Sequence, residues 1–247
     1  MAVRKKKEKS GKTKKKRSFW GRLWRFLLKL AAGFFIVSVL SALLFRWINP
    51  PFTPLMLIRS IEQKTEGREV KLAYNWVDID SISPHMPRAV IAGEDQYFLY
   101  HNGFDWDAIE RAQEYNKTHR IKRGASTISQ QTAKNVFLWP DRTWIRKGLE
   151  VYFTFLIETF WSKERIMEVY LNVIEYGDGI YGVEEAAQAY FKKPAFRLSM
   201  EQSALLVGSL PNPRKWNVKV SPPILARRKA IILRNMVNIG PQKLVKH

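Results

Sequence analysis

Glu94 and Asp95 stand side by side between an apolar segment, Ala89–Ala92, and the aromatics Tyr97, Phe98 and Tyr100. A carboxylate in such surroundings is partly desolvated, which raises its pKa and makes it a usable proton acceptor or donor. A second stretch, Arg123-Gly124-Ala125-Ser126-Thr127-Ile128-Ser129-Gln130-Gln131-Thr132-Ala133-Lys134-Asn135, leads from small residues into a helical pattern. Small residues ahead of a helix N-terminus expose backbone N–H groups that suit an anion. Gln131 and Lys134 share one face of that helix, and Arg142 follows eight residues beyond Lys134. A third stretch, Arg146-Lys147-Gly148-Leu149-Glu150, sets Lys147 and Glu150 three apart on the polar edge of a strongly apolar helix. Each has a plainer reading: a helix-terminal acid pair, a capped helix with solvated Gln and Lys, or a surface ion pair contributing under about 1 kcal/mol. Taken singly, none outweighs it.

The other side chains narrow the chemistry by elimination. There is no cysteine, which excludes a disulfide framework, a Cys-ligated zinc site and a thiol nucleophile. His85, His101 and His119 are scattered and His247 is terminal, with no HExxH spacing. No Gly-x-Ser-x-Gly elbow marks a serine hydrolase. Gly11-Lys12-Thr13 lacks the first glycine of a phosphate-binding loop and reads as solvated basic chain. Carboxylates, bases and amides remain.

Together the stretches resemble one family. Gly93-Glu94-Asp95-x-x-Phe98-x-x-His101-x-Gly103-x-Asp105, then Gly124-Ala125-Ser126-Thr127-Ile128-Ser129-Gln130-Gln131-x-x-Lys134-Asn135, then Arg146-Lys147-x-x-Glu150 resemble the first three motifs of the peptidoglycan glycosyltransferases, the family 51 enzymes that polymerise lipid II. Lys163-x-Arg165-Ile166-x-Glu168-x-Tyr170-Leu171-Asn172, with Tyr176-Gly177 and Tyr181-Gly182-Val183-Glu184, resembles the fourth. Glu201-x-Ser203-Ala204-Leu205-Leu206 with Leu210-Pro211-Asn212-Pro213 resembles the fifth. The match runs in order from about residue 80 to 235. With no Ser-x-x-Lys and no room for a transpeptidase domain, the chain is expected to be of the monofunctional, membrane-anchored kind.

The resemblance implies a mainly α, lysozyme-like fold and an inverting transfer of an undecaprenyl-pyrophosphate-linked chain to the 4-hydroxyl of lipid II. It implies Glu94 as the base, Lys134 and Arg142 as pyrophosphate clamps, and Glu150 assisting at the phosphates by protonation or through a divalent cation. Arg111, Ser126, Thr127, Gln131, Asn135 and Lys147 are expected to shape the donor and acceptor sites. Mg²⁺ or Mn²⁺ is the implied cofactor, without an assigned ligand set, and no organic cofactor is expected. Implied partners are lipid II, the growing glycan, the bilayer, and other cell-wall synthesis or division proteins, with no nucleic acid. Glu175 has no assigned role. A lytic, lysozyme-like enzyme and a non-enzymatic membrane scaffold are the competing readings.

The elements that must position these residues follow from charge and hydropathy. The chain has 247 residues and a formal net charge of +20, a balance that by itself invites a nucleic-acid reading. Residues 1–25, however, hold twelve Lys or Arg against the single acid Glu8, so more than half of the excess lies in a tenth of the chain. Phe26–Phe45 follows as an apolar stretch of about 20 residues, long enough to span a bilayer, with Lys29 its only charge and Trp20, Trp24 and Trp47 at its ends. A cleaved signal peptide would have a shorter apolar region and a small-x-small site, where this one runs into Phe45-Arg46-Trp47. The positive-inside rule puts the N-terminus in the cytoplasm and the body outside an inner membrane. The expected organisation is a basic tail at 1–25, a transmembrane helix at 26–47, a linker segment at 48–80 and a glycosyltransferase domain at 81–240. Periodicity predicts helices over 105–115, 127–136, 146–161, 163–173, 183–191, 199–210 and 224–238, a short one over 55–62, and a single candidate strand at 69–76. Val136–Trp139 with Trp144 reads equally as a membrane-dipping flap or as core.

Overall fold

A computed structural model describes residues 19–120, 122–216, 218–242 and 244. Most of the basic tail therefore lies outside the described residues. The chain divides into two compact units, one ending at Leu40 and one beginning at Ser41.

The first unit is most of helix α1, Phe19–Leu44. Its segment Trp20–Leu44 is 25 residues long, and its most apolar 18-residue window has a mean hydropathy of 2.3 and is 11% buried. At 1.5 Å per residue that is about 37 Å, long enough to cross a hydrocarbon layer of about 30 Å.

The second unit begins with the last residues of α1 and holds the rest of the fold. Pro50, Pro51 and Pro54 stop the helix and start the next. Helix α2, Pro54–Thr65, is capped by Thr53 and buries Leu55 and Met56 beside Tyr181. Seven further helices fall where the periodicity expects them: α4 Trp106–Thr118, α5 Ile128–Phe137, α6 Trp144–Phe160, α7 Lys163–Val173, α8 Val183–Phe191, α9 Met200–Ser209 and α10 Pro223–Ile239. Helix α3, His85–Glu94, is the one the periodicity left as a mere apolar segment. Pro84 and Pro87 flank its start, and proline is tolerated only in a helix's first turn, so the sequence disguises it.

At the centre lies α7, whose Ile166, Met167, Val169, Tyr170, Leu171 and Val173 are all buried. It packs against α5, and α5 packs in turn against α6. A second cluster joins α3, α9 and α10. The expected strand shortens to β1, Ala73–Tyr74, parallel to β3, Ile180–Tyr181, which pairs antiparallel with β2, Glu175–Gly177. Two or three residues are too few to alternate, which is why β2 and β3 left no trace in the hydropathy pattern. Gly179 turns the chain at φ +70°, and a Cβ there would sit 2.2 Å from the Lys71 carbonyl oxygen.

Val136 and Leu138 are core, whereas Trp139 is exposed, as are Trp144 and Ile145 at the start of α6. Within this unit Trp161 Nε1 donates to the Ala42 carbonyl at 2.7 Å, and Arg165 donates to the carbonyls of Phe45 and Ile48. Both tie down backbone oxygens that the end of α1 leaves without helical partners.

Candidate active site

Glu94 is the last residue of α3 and Asp95 is its C-cap. The two acids have different surroundings. The Asp95 carboxylate is buried, accepts the Ile128 N–H at 3.0 Å and lies 3.0 Å from His101 Nε2. His101 Nδ1 accepts the Gly103 N–H at 3.1 Å, so a neutral ring carries its proton on Nε2 and donates it to Asp95. Gly103 sits at φ +89°, where a Cβ would come within 2.8 Å of Thr154 Cγ2, so only glycine fits. Its carbonyl accepts the Thr127 hydroxyl at 2.7 Å. Thr127 also forms a capping box with Gln130 at the N-terminus of α5. Asp95 and Thr127 thus lock the end of α3 to the beginning of α5.

That lock brings the α5 side chains to Glu94. Gln131 Nε2 donates to Glu94 Oε2 at 2.9 Å, and the Tyr170 hydroxyl donates to Gln131 Oε1 at 3.2 Å, which fixes the amide orientation. Glu94 Oε1 accepts no hydrogen bond among the described residues and lies 3.5 Å from Arg228 Nη2. Burial pushes the Glu94 carboxyl above its ordinary range, opposed by the Gln131 hydrogen bond and by the charges of Arg228 and Lys134, with Asp95 adding to the rise. The result is an acid with one tethered oxygen and one buried oxygen whose hydrogen-bonding capacity is unfilled among the described residues.

One turn further along α5, burial lowers the Lys134 pKa, and Glu150 is the strongest influence holding it up. Glu94 acts in the same direction while Arg146 and Lys147 oppose it, so Lys134 lies within electrostatic reach of both acids. Glu150 itself is only 3% exposed. Arg146 Nη1 donates to its Oε2 and Lys147 Nζ to its Oε1. The surface ion pair that the sequence suggested is therefore a buried carboxylate between two cations. Arg146 was missed as its partner, although the i,i+4 spacing could have found it.

Beside Glu94 opens a cleft of about 390 Å³, lined among others by Arg111, Arg123, Ser126 and Thr127. Arg111 is mostly exposed and 3.9 Å from Asp105, whose carboxylate caps α4 at the Ala108 N–H. The structure thus groups Glu94, Gln131, Lys134, Lys147 and Glu150, and sets Arg111, Ser126 and Thr127 along the adjoining cleft. Asn135 is buried on α5. Arg142 stands apart, exposed on the loop between α5 and α6. Arg228 carries no local signal, since α10 reads as a basic helix like any other.

Among the described residues no three His, Asp or Glu side chains converge as metal ligands. Both Glu150 oxygens face cations and Asp95 is already engaged, so these residues do not form a cage for Mg²⁺ or Mn²⁺.

The transglycosylase family profile matches residues 62–237, a span that holds every member of this constellation. The chain belongs to the transglycosylase family. It is 51% identical over 219 residues to a biosynthetic peptidoglycan transglycosylase of Bdellovibrio bacteriovorus, covering 88% of each chain. It is 52% identical over 221 residues to the protein of that name in Bacteroides thetaiotaomicron, covering 90% of this chain and 89% of that one. A third, from Caulobacter vibrioides, is 54% identical over 203 residues, covering 80% and 86%.

Proposed function

We propose that this transglycosylase is a peptidoglycan glycosyltransferase that polymerises lipid II into glycan strands, with Glu94 as its base. The observation that carries the reading is the Glu94 carboxylate at the edge of a cleft, one oxygen held by Gln131 and the other buried without a hydrogen-bond partner among the described residues. A sugar hydroxyl is a poor nucleophile at neutral pH and needs a base at the moment of attack. Glu94 Oε1 takes the proton of the lipid II 4-hydroxyl as its oxygen attacks the anomeric carbon of the donor chain. The bond from that carbon to the pyrophosphate breaks with its electron pair leaving on the phosphate oxygen, and the configuration inverts from α to β.

The leaving group needs neutralisation of negative charge more than a strong acid. Lys134 supplies a fixed, partly desolvated cation for it, and Arg142 a mobile fork suited to bidentate phosphate contact. Glu150 serves by holding Arg146 and Lys147 beside Lys134, keeping three cations together where repulsion would splay them. Arg111, Ser126, Thr127, Asn135 and the Lys147 ammonium complete the donor and acceptor sites.

The α1 helix is the membrane anchor. We place the 1–25 tail in the cytoplasm, the span in the inner membrane, the linker and the catalytic domain outside it, and other cell-wall synthesis proteins among the partners. Lipid II cannot leave the bilayer, so an anchored enzyme meets it in two dimensions. Incubating the purified full chain with fluorescent lipid II, and separately with preformed glycan, tests the function. Strand synthesis without glycan breakdown is expected; breakdown alone would make the protein a lytic enzyme, and inertness toward both would make it a scaffold. A reporter fused after residue 50 should be active outside the cytoplasm.

A further inference from the structure

Three helices meet behind Glu94 because two glycines let them. A Cβ on Gly93 would fall 2.8 Å from Val207 Cγ1 and 3.2 Å from Ile232, so only a glycine lets α3 come this close to both α9 and α10. A Cβ on Gly208 would fall 2.9 Å from Leu225 Cδ1, so the same holds between α9 and α10. The α3–α10 seam is then stitched by polar side chains: Arg88 Nε donates to the Met236 carbonyl at 2.8 Å, and Asn235 Nδ2 to the Ala92 carbonyl at 3.1 Å. In this seam Arg228 reaches both neighbours at once. Its Nε donates to the Gly208 carbonyl at 3.1 Å, near the end of α9, and its Nη2 lies 3.5 Å from Glu94 Oε1. The guanidinium also sits 6.0 Å from the Trp216 ring centre.

We propose that Arg228 is a positioning residue for the base: held by the Gly208 carbonyl, it fixes the orientation of the untethered Glu94 oxygen and keeps that oxygen charged until a hydroxyl proton arrives. The inference rests on the reading of Glu94 as the base. The Gln131 amide fixes Oε2 from the α5 side, and Arg228 faces Oε1 from the α10 side, so the carboxylate plane is set from two directions without filling the reactive oxygen's hydrogen-bonding capacity. The other groups bearing on this carboxylate are Asp95 at the end of α3, Lys134 on α5, Tyr170 on α7 and Tyr176 on β2. The tyrosines are pushed up by burial and stay neutral, and Asp95 acts against the charged form. Arg228 and Lys134 are therefore the only cations among them, and in the proposed reaction Lys134 is committed to the leaving pyrophosphate. Arg228 is the cation left to the base.

The test is the pH profile of kcat/KM for lipid II polymerisation by the full-length wild type, Arg228→Lys and Arg228→Gln, with Glu94→Gln as control. Removing the positive charge favours the protonated base, so the acid limb of the Arg228→Gln profile should move to higher pH. A shift of one unit makes the loss about tenfold well below the acid limb and small well above it. Arg228→Lys should keep the wild-type limb and lose only from altered aim. An Arg228→Gln loss of equal size at every pH would overturn the inference, as would an Arg228→Lys limb displaced as far as that of Gln. Should Arg228→Gln not fold, as read from its thermal melt, the Lys variant decides alone: an unmoved limb supports the inference and a moved one ends it. An active Glu94→Gln enzyme would instead refute the reading of the base itself.

Discussion

Asp95 Oδ2 accepts the backbone N–H of Ile128 at 3.0 Å, joining the C-terminus of α3 to the N-terminus of α5. Of the two adjacent acids, Asp95 is thus the builder, and the role of base proposed above falls to Glu94. The bond puts Gln131 and Lys134 opposite Glu94, although two separate helices contribute them.

Asp95→Ala leaves two buried donors, the Ile128 N–H and the His101 Nε2–H, without an acceptor. The expected cost is about 2–4 kcal/mol, read as a lower urea midpoint at unchanged slope, together with loss of glycan synthesis. A midpoint equal to that of wild type would show that the joint between α3 and α5 does not depend on this carboxylate.

Glu150→Ala removes the only carboxylate that Arg146 and Lys147 share. Breaking a buried ion pair from one side costs about 3–5 kcal/mol, and Glu150→Gln should cost less because the amide still accepts hydrogen bonds. Chemical denaturation of the two variants checks the order, which an undisturbed Glu150→Ala protein would reverse.

Lys134→Ala should lower kcat/KM for lipid II by about 10²–10³, the effect of deleting one preorganised charge-stabilising group. Stability should hardly change, since the buried ammonium is itself costly. Arg142→Ala, on an exposed loop, should cost less. Steady-state rates on the two variants would contradict this assignment if Arg142 proved the more sensitive.

Glu175 lies on β2 outside the cleft, buried, with Oε1 accepting no hydrogen bond among the described residues and Arg59 Nε 3.8 Å from Oε2. Burial raises its pKa in the fold above the ordinary value, partly offset by Arg59 and Arg214. The unfolded chain therefore ionises first as pH rises, and wild type loses stability across the interval between the two values. Glu175→Gln removes that titration, so its stability relative to wild type should climb with pH over the same interval while glycan synthesis persists. A difference that stays flat with pH would contradict the direction.

Much of the fold was legible because its signals are local. Ser162 caps α7, Thr127 and Ser199 open capping boxes, and Lys192 with Pro194 ends α8, so those helices fall within a residue of expectation. Helix α3 was hidden by its prolines, and β2 and β3 by their brevity. Within the site, Glu94, Gln131, Lys134 and Glu150 stood out through the spacing of motifs that resemble the family's, and the hydrogen bonds from the end of α3 to α5, with the packing of α5 on α6, add that they meet. The burial of Glu150, the Asp95–His101 pair and the approach of Arg228 depend on tertiary packing, above all on two glycines whose missing side chains say nothing about what comes near them.

The central claim is that Glu94 takes the acceptor's proton, and Glu94→Gln tests it most directly because the amide keeps size and one acceptor while losing the charge. Initial rates of glycan formation from lipid II should fall by about 10²–10⁴, with lipid II binding and the thermal melt close to wild type. Glycan strands formed by Glu94→Gln at the wild-type rate would contradict the account.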